Sequence, residues 1–162
     1  MRNLILGAIL SLGSFGTAIA QTAVEVPYPT NFRHWPHLKR MVINDKSHPL
    51  FGAFGGIHHS YANAKGTIAV EKKKPFPDGA VLVFDLLEAK LAGGAYSEGK
   101  RKFIGVMMRD SKKYAATEGW GWQVFEGDKK TPSLKTVAEQ KACSTCHLEV
   151  GAKGFVFTEM RK

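Results

Sequence analysis

Residues 80–87 read Ala80-Val81-Leu82-Val83-Phe84-Asp85-Leu86-Leu87, and residues 102–109 read Lys102-Phe103-Ile104-Gly105-Val106-Met107-Met108-Arg109. Both are short runs rich in branched and aromatic side chains, which is how strands read. In the second run alternate positions separate into two sets, Phe103, Gly105 and Met107 on one face, Ile104, Val106 and Met108 on the other. Neither run has the 3.6-residue stripe of a surface helix. Working outward, Phe76-Pro77-Asp78-Gly79 is a turn that feeds the first run. Gly93-Gly94 and Glu98-Gly99 predict a loop between the two runs. Ile57–Tyr61, Gly119–Phe125 and Phe155–Thr158 read as further strands.

Helix signals lie at the two ends. Thr30 or Asn31 is placed to cap a short helix through Phe32, Trp35, Leu38 and Val42, with Pro36 near its first turn. Near the other end Thr131 reads as an N-cap and Pro132 as the first helical residue of a helix that runs toward Cys143. Residues 63–74 read either as a short helix or as irregular chain, because Gly66 and Thr67 weaken the helical reading. The fold class is therefore α+β: mainly an antiparallel sheet, with short helices at the start and in the C-terminal segment.

The first twenty residues stand apart. Met1-Arg2-Asn3 is cationic, Leu4–Gly16 is an apolar run, and Ala18-Ile19-Ala20 is a small-x-small cleavage signal. Residues 1–20 read as a secretory signal peptide cut after Ala20, with delivery to the periplasm. The apolar run is too short for a membrane anchor, and no later stretch is apolar enough to cross a bilayer. Residues 21–162 read as a single domain of ordinary size. The formal charge is +9, of which one unit is Arg2. The lysines are scattered, with Lys72-Lys73-Lys74 the longest basic run, so the charge describes a solvated basic face and not a nucleic-acid site. An acidic redox partner is a further expectation from this charge.

The chain has two cysteines, in the run Cys143-Ser144-Thr145-Cys146-His147. C-x-x-C-H is the attachment motif of a c-type haem. The two thiols add to the haem vinyl groups, and the adjacent histidine reaches the iron from the same segment. A redox dithiol is the competing reading, but such motifs sit near a βαβ unit, and this one is late in a β-rich chain. The expectation is one covalently bound haem c, held by Cys143 and Cys146, with His147 as the iron ligand.

The sixth coordination position separates the functions. A second Met or His ligand makes an electron carrier, whereas an open position makes a gas-binding or catalytic haem. Met41, Met107, Met108, Met160, His34, His37, His48, His58 and His59 are all candidates by type, and composition does not choose among them.

Several blocks, taken in order, resemble the family of cytochrome c′-β and the lysine-crosslinked cytochrome P-460. They are Asn31-Phe-Arg-His-Trp35, His48-Pro-Leu-Phe-Gly-Ala-Phe-Gly-Gly-Ile-His-His59, Phe76-Pro-Asp-Gly-Ala-Val-Leu-Val-Phe-Asp-Leu86, Trp120-Gly-Trp122, the late C-x-x-C-H and Phe155-Val-Phe-Thr158. The resemblance implies a β-rich homodimer with a five-coordinate haem. In the P-460 branch, which oxidises hydroxylamine, a lysine on the strand after the F-x-D-G turn bonds to the porphyrin edge. The matching position here is Phe84. That branch also has an arginine in the distal pocket, where this chain places His58.

A phenylalanine cannot form the crosslink, so the resemblance points to the c′-β branch, with Phe84, Phe54 and Phe51 as candidates for an apolar distal cap. Such a cap gives bound dioxygen no hydrogen bond, whereas the neutral diatomics NO and CO need none. The expected protein is a periplasmic monohaem cytochrome that binds NO and CO, in NO scavenging or nitrogen-oxide metabolism, more a gas-binding or electron-transfer protein than an enzyme. The alternatives are a hydroxylamine-oxidising enzyme, for which Lys72, Lys73 and Lys74 are the nearest lysines, and a six-coordinate electron carrier. A second copy is also expected to cover the strand at 102–108, whose two faces are both apolar.

Overall fold

The computed structural model describes residues 21–162; the predicted signal peptide lies outside the described residues. Five strands form one antiparallel sheet: β1 (His37–Ile43), β2 (Gly56–Ala62), β3 (Val81–Ala92), β4 (Ala95–Arg109) and β5 (Trp120–Glu126). Their order in the sheet is their order in the chain, so every connection joins neighbours. Three α-helices accompany them: the single turn α1 (Phe51–Phe54), α2 (Ala64–Lys72) and α3 (Val137–His147). The architecture is α+β and mainly β, as the alternating runs predict. No helix among the described residues is long and apolar enough to cross a membrane.

Four local expectations are corrected. Asn31 takes a left-handed conformation, and Phe32–His34 make one 3₁₀ turn before Pro36 forces Trp35 into extended backbone. The chain then continues as β1, so Leu38 and Val42 lie on a strand and not on a helix. The β3–β4 loop is only Gly93-Gly94, with φ 57° and 78°, the two positive values that a two-residue hairpin turn needs. Glu98 and Gly99 therefore sit inside β4.

The last helix begins later than Thr131-Pro132 suggests. The N–H groups of Ser133 and Leu134 are taken by Val124 O (2.8 Å) and Gln123 Oε1 (2.8 Å). Thr136 caps α3 instead, in a capping box with Glu139. Finally, Phe155–Thr158 is irregular chain and not a strand; Phe155 has φ 66°.

The back face of β4 is covered within the chain and its front face only in part. On the back face Ile104 and Val106 pack with Val83 and Phe125 under Val26, Phe32 and Tyr114. The front face buries Leu82, Trp120 and Trp122 against Leu38, Ala62 and Val156, with Cys143 of α3 packed on the edge of this cluster. The N-terminal segment covers the back face of β4, while Phe103, Gly105 and Met107 on its front face are only half-buried. Buried Gln140 ties the layers together: its Nε2 donates to Val24 O (2.7 Å) and Trp122 O (2.9 Å), and its Oε1 accepts from Val24 N (2.9 Å).

Candidate functional site

The antiparallel register places three rows of side chains across the front face. Leu82, Met107 and Trp122 make the first row; Ser60, Phe84, Gly105 and Val124 the second; His58, Leu86 and Phe103 the third. Four residues of β4 separate the outer rows, roughly 13 Å at strand spacing. Gly105 leaves the middle row without a side chain at its β4 position. A Cβ built there would meet only ordinary contacts, the nearest being Phe84 Cβ at 3.7 Å and Phe103 Cε2 at 3.8 Å.

Over the first row stands the C-x-x-C-H segment. Cys143, Cys146 and His147 occupy the last turns of α3. The His147 ring lies 4.4 Å from the Trp122 ring and 4.9 Å from that of Phe157. Its Nδ1–H donates to Phe155 O at 2.7 Å. The irregular segment that reads as a strand in sequence thus serves the site, because its carbonyl fixes the tautomer and leaves Nε2 as the free lone pair. A metal-bound histidine needs that same arrangement. Burial lowers the His147 pKa below its ordinary value, against the pull of the Phe155 carbonyl, so the ring is held neutral and able to ligate.

The two cysteines are free thiols. Burial and, to a lesser extent, the neighbouring Cys146 push the Cys143 thiol up. A redox or nucleophilic cysteine needs the opposite shift and sits at a helix N-terminus, where the dipole supplies it. This pair sits at a C-terminus. The geometry disfavours the dithiol reading.

Toward the third row an aromatic cluster covers the sheet. The Phe54 ring of α1 packs edge-on against Phe84 (5.9 Å) and Phe103 (6.2 Å), and Phe84 and Phe103 are 5.9 Å apart. His58 lies edge-on to Phe84 at 4.9 Å. Phe54, Phe84 and Phe103 are only half-buried. Phe51 does not join them; its ring lies against Gly55. Phe103 is a member that the sequence did not single out, although alternation had already placed it on the face of Gly105 and Met107. Trp122 and Phe157 were likewise missed as neighbours of His147. No sequence pattern marks them, since their contact with the histidine depends on how α3 crosses β5.

The other candidate ligands scatter. Met108 faces the back, where the Tyr114 hydroxyl lies 3.8 Å from its sulfur. His37 and His59 point at each other at 3.1 Å, and His59 is the cross-strand partner of Asp85, not of a front-face residue. His48 is exposed, and Met107 packs in the front-face core beside Trp122. Lys72, Lys73 and Lys74 are exposed at the end of α2.

One side of the sheet therefore carries a neutral imidazole with a free nitrogen, two thiols, a glycine notch and a half-covered aromatic patch. Residues 29–158, most of the chain, match the family model described as Cytochrome P460. The chain belongs to the cytochrome P460 family. No curated protein matches it. Membership of the P460 family makes it a haem protein, and the donor set fits that group: thiols for vinyl carbons, imidazole Nε2 for iron, and apolar rings and a bare backbone for the porphyrin faces. Trp122 Nε1 and Thr158 Oγ1 are buried without hydrogen-bond partners in the residues nearest His147, which also fits a bound group with polar substituents.

His58 gives a test of this electrostatic picture. Burial lowers its pKa below the ordinary 6.5, against the raising effect of the Phe54 carbonyl, and nearby Lys102 lowers it further. The folded state keeps this ring neutral at pH values where the unfolded chain takes a proton. Its contribution to stability is whole above 6.5 and is lost as the pH falls below that. Urea unfolding is expected to give lower stability at about pH 5.5 than at about pH 7.5. His58→Gln should reduce that difference. An unchanged pH difference in the variant would show that His58 is not held neutral.

Proposed function

We propose that the protein is a periplasmic monohaem c-type cytochrome. Cys143 and Cys146 attach the haem covalently, His147 Nε2 is its only protein ligand, and NO and CO bind on the opposite side against an apolar cap. Haem held there would supply an iron able to take up a small neutral ligand. The chain does the rest. Phe155 O orients the imidazole, Trp122 and Phe157 pack its faces, and Gly105 admits the porphyrin close to the sheet.

The observation that carries this reading is the cap. Phe84 stands where the hydroxylamine-oxidising branch has its crosslinking lysine, and it packs with Phe54 and Phe103 as an aromatic group on the front face. Such a surface offers a bound ligand no charge and no donor, so it discriminates by size and favours neutral diatomics. NO scavenging is the role this selectivity serves best. Exposed Met41 and Val42 on edge strand β1, and exposed Leu91 and Tyr96 on the β3–β4 hairpin, support association as a homodimer. Light scattering at micromolar concentration is expected to give the mass of two chains; a monomer would remove that part of the proposal.

Stopped-flow binding of CO to the ferrous protein tests the cap. Phe84→Ala removes most of one ring from the path and is expected to raise the association rate at least about tenfold, that is, to lower the barrier by about 1.4 kcal/mol. Met107→Leu, on the His147 side, should leave the rate unchanged. Equal rates for wild type and Phe84→Ala would mean that Phe84 does not face the ligand.

A further inference from the structure

The cap residue Phe54 is carried by the weakest element of the fold. α1 is one turn long and has no side-chain N-cap. Its N–H groups are satisfied locally, Phe54 N by Leu50 O and Gly55 N by Phe51 O, each near 2.8 Å. A single turn is not stable by itself. What holds it are two donors from the sheet. His58 Nε2 of β2 donates to Phe54 O, and Lys102 Nζ of β4 donates to Gly55 O at 2.9 Å. A carbonyl only accepts, so His58 must carry its proton on Nε2.

Lys102 is placed for this by an irregularity. Leu86 pairs with Phe103 and Leu87 pairs with Arg101, so Lys102 has no partner on β3 and forms a β-bulge. The bulge frees its side chain to reach past the sheet to the end of α1. Its head group is thereby spent on a carbonyl instead of solvent, although the residue is exposed.

We propose that His58 and Lys102 are positioning residues that latch α1 to the sheet, hold the Phe54 ring over Phe84, and so set the rate at which small ligands reach the iron. This rests on the reading of the aromatic face as the ligand side. The two bonds act in series with the ring contact: when both are made, Phe54 closes the gap above Phe84, and when either opens, the turn and its ring swing away together.

The test uses the haem-loaded protein and two readouts. Hydrogen exchange of the backbone amides of residues 54–56 reports the latch directly, and CO association reports its effect. Lys102→Met keeps the aliphatic stem and loses the donor; His58→Leu loses the other donor. Each is expected to speed exchange in 54–56 about five- to tenfold, and to raise the CO rate by a similar factor. His58→Gln, which keeps an N–H donor, should restore part of the protection. Lys102→Met is a change at an exposed side chain and guards against a folding failure of the buried His58 variant.

Unchanged exchange in Lys102→Met would overturn the latch. Faster exchange with an unchanged CO rate would overturn its role in gating. Phe54→Ala separates the latch from the ligand side. If it leaves the CO rate unaltered, the ligand-side reading itself fails; if it raises the rate while the latch variants do not, only the latch fails.

Discussion

A chain with serine at both Cys143 and Cys146 is expected to run free of haem on a denaturing gel, while the unaltered protein keeps its haem through denaturation. The reason is the strength of what is removed. Thioether bonds to the proposed haem would survive unfolding, whereas ligation by His147 and packing in the folded site would not. The single variants should each retain one bond and a haem band of reduced intensity. The mass of the haem-bearing peptide decides between the branches of the family. Attachment to the peptide spanning residues 143–147 alone is expected. A second peptide carrying Lys72, Lys73 or Lys74 would instead mean a crosslinked haem and the hydroxylamine-oxidising reading.

The fold was legible where a residue's role depends on near neighbours in sequence. Alternation at 102–109 assigned Phe103, Gly105 and Met107 to one face, and the register confirms it through cross-strand pairs with Leu86, Phe84 and Leu82. The attachment motif was legible because Cys143, Cys146 and His147 are a fixed local spacing. Errors arose where a distant partner overrode a local signal. Thr131-Pro132 is a good helix start, but Gln123 and Val124 take the next two N–H groups, and the helix waits for Thr136. Phe155–Thr158 has strand composition but forms no ladder among the described residues; His147 takes the Phe155 carbonyl instead.

The candidate cap was half legible. Phe84 and Phe54 were named because the family resemblance pointed at their segments, whereas Phe103 needed the register and the roles of His58 and Lys102 needed α1 in three dimensions. The β4 bulge was not legible at all. Strict alternation from Phe103 would put Arg101 on the front face with the rings.

Arg101 is instead on the back, and its loss is expected to be the most damaging single change to stability. Its Nε and Nη2 donate to both oxygens of Asp85, at 2.6 and 3.1 Å, and its Nη1 pairs with Asp128. The side chains of Arg101 and Asp85 are 5% and 3% exposed, so this is a desolvated, bidentate pair. Arg33, 3.8 Å from the same carboxylate, is more than half exposed and cannot replace it. Arg101→Ala strands the Asp85 carboxyl in the sheet without its main partner. Breaking a buried pair from one side costs about 3–5 kcal/mol. In a domain of this size that is a fall in Tm of about 10 °C or more, measured by calorimetry.

Replacing both partners, Arg101→Met with Asp85→Leu, should recover most of the loss, because no charge is then left buried. The two charges also act on the front face. Asp85 follows Phe84 on β3, and Arg101 precedes the bulge that sends Phe103 forward. A slip of one residue between β3 and β4 would turn Phe84 away from the front face and Asp85 toward it. The ion pair opposes that slip, since turning β3 over would put Asp85 beside Phe103 and leave Arg101 without its partner on the back. The double variant is therefore expected to regain stability without regaining a uniform cap. Its CO association should be heterogeneous, with more than one kinetic phase where the wild type has one. A single wild-type rate in the stable double variant would mean that hydrophobic patterning alone fixes the register of β3 against β4.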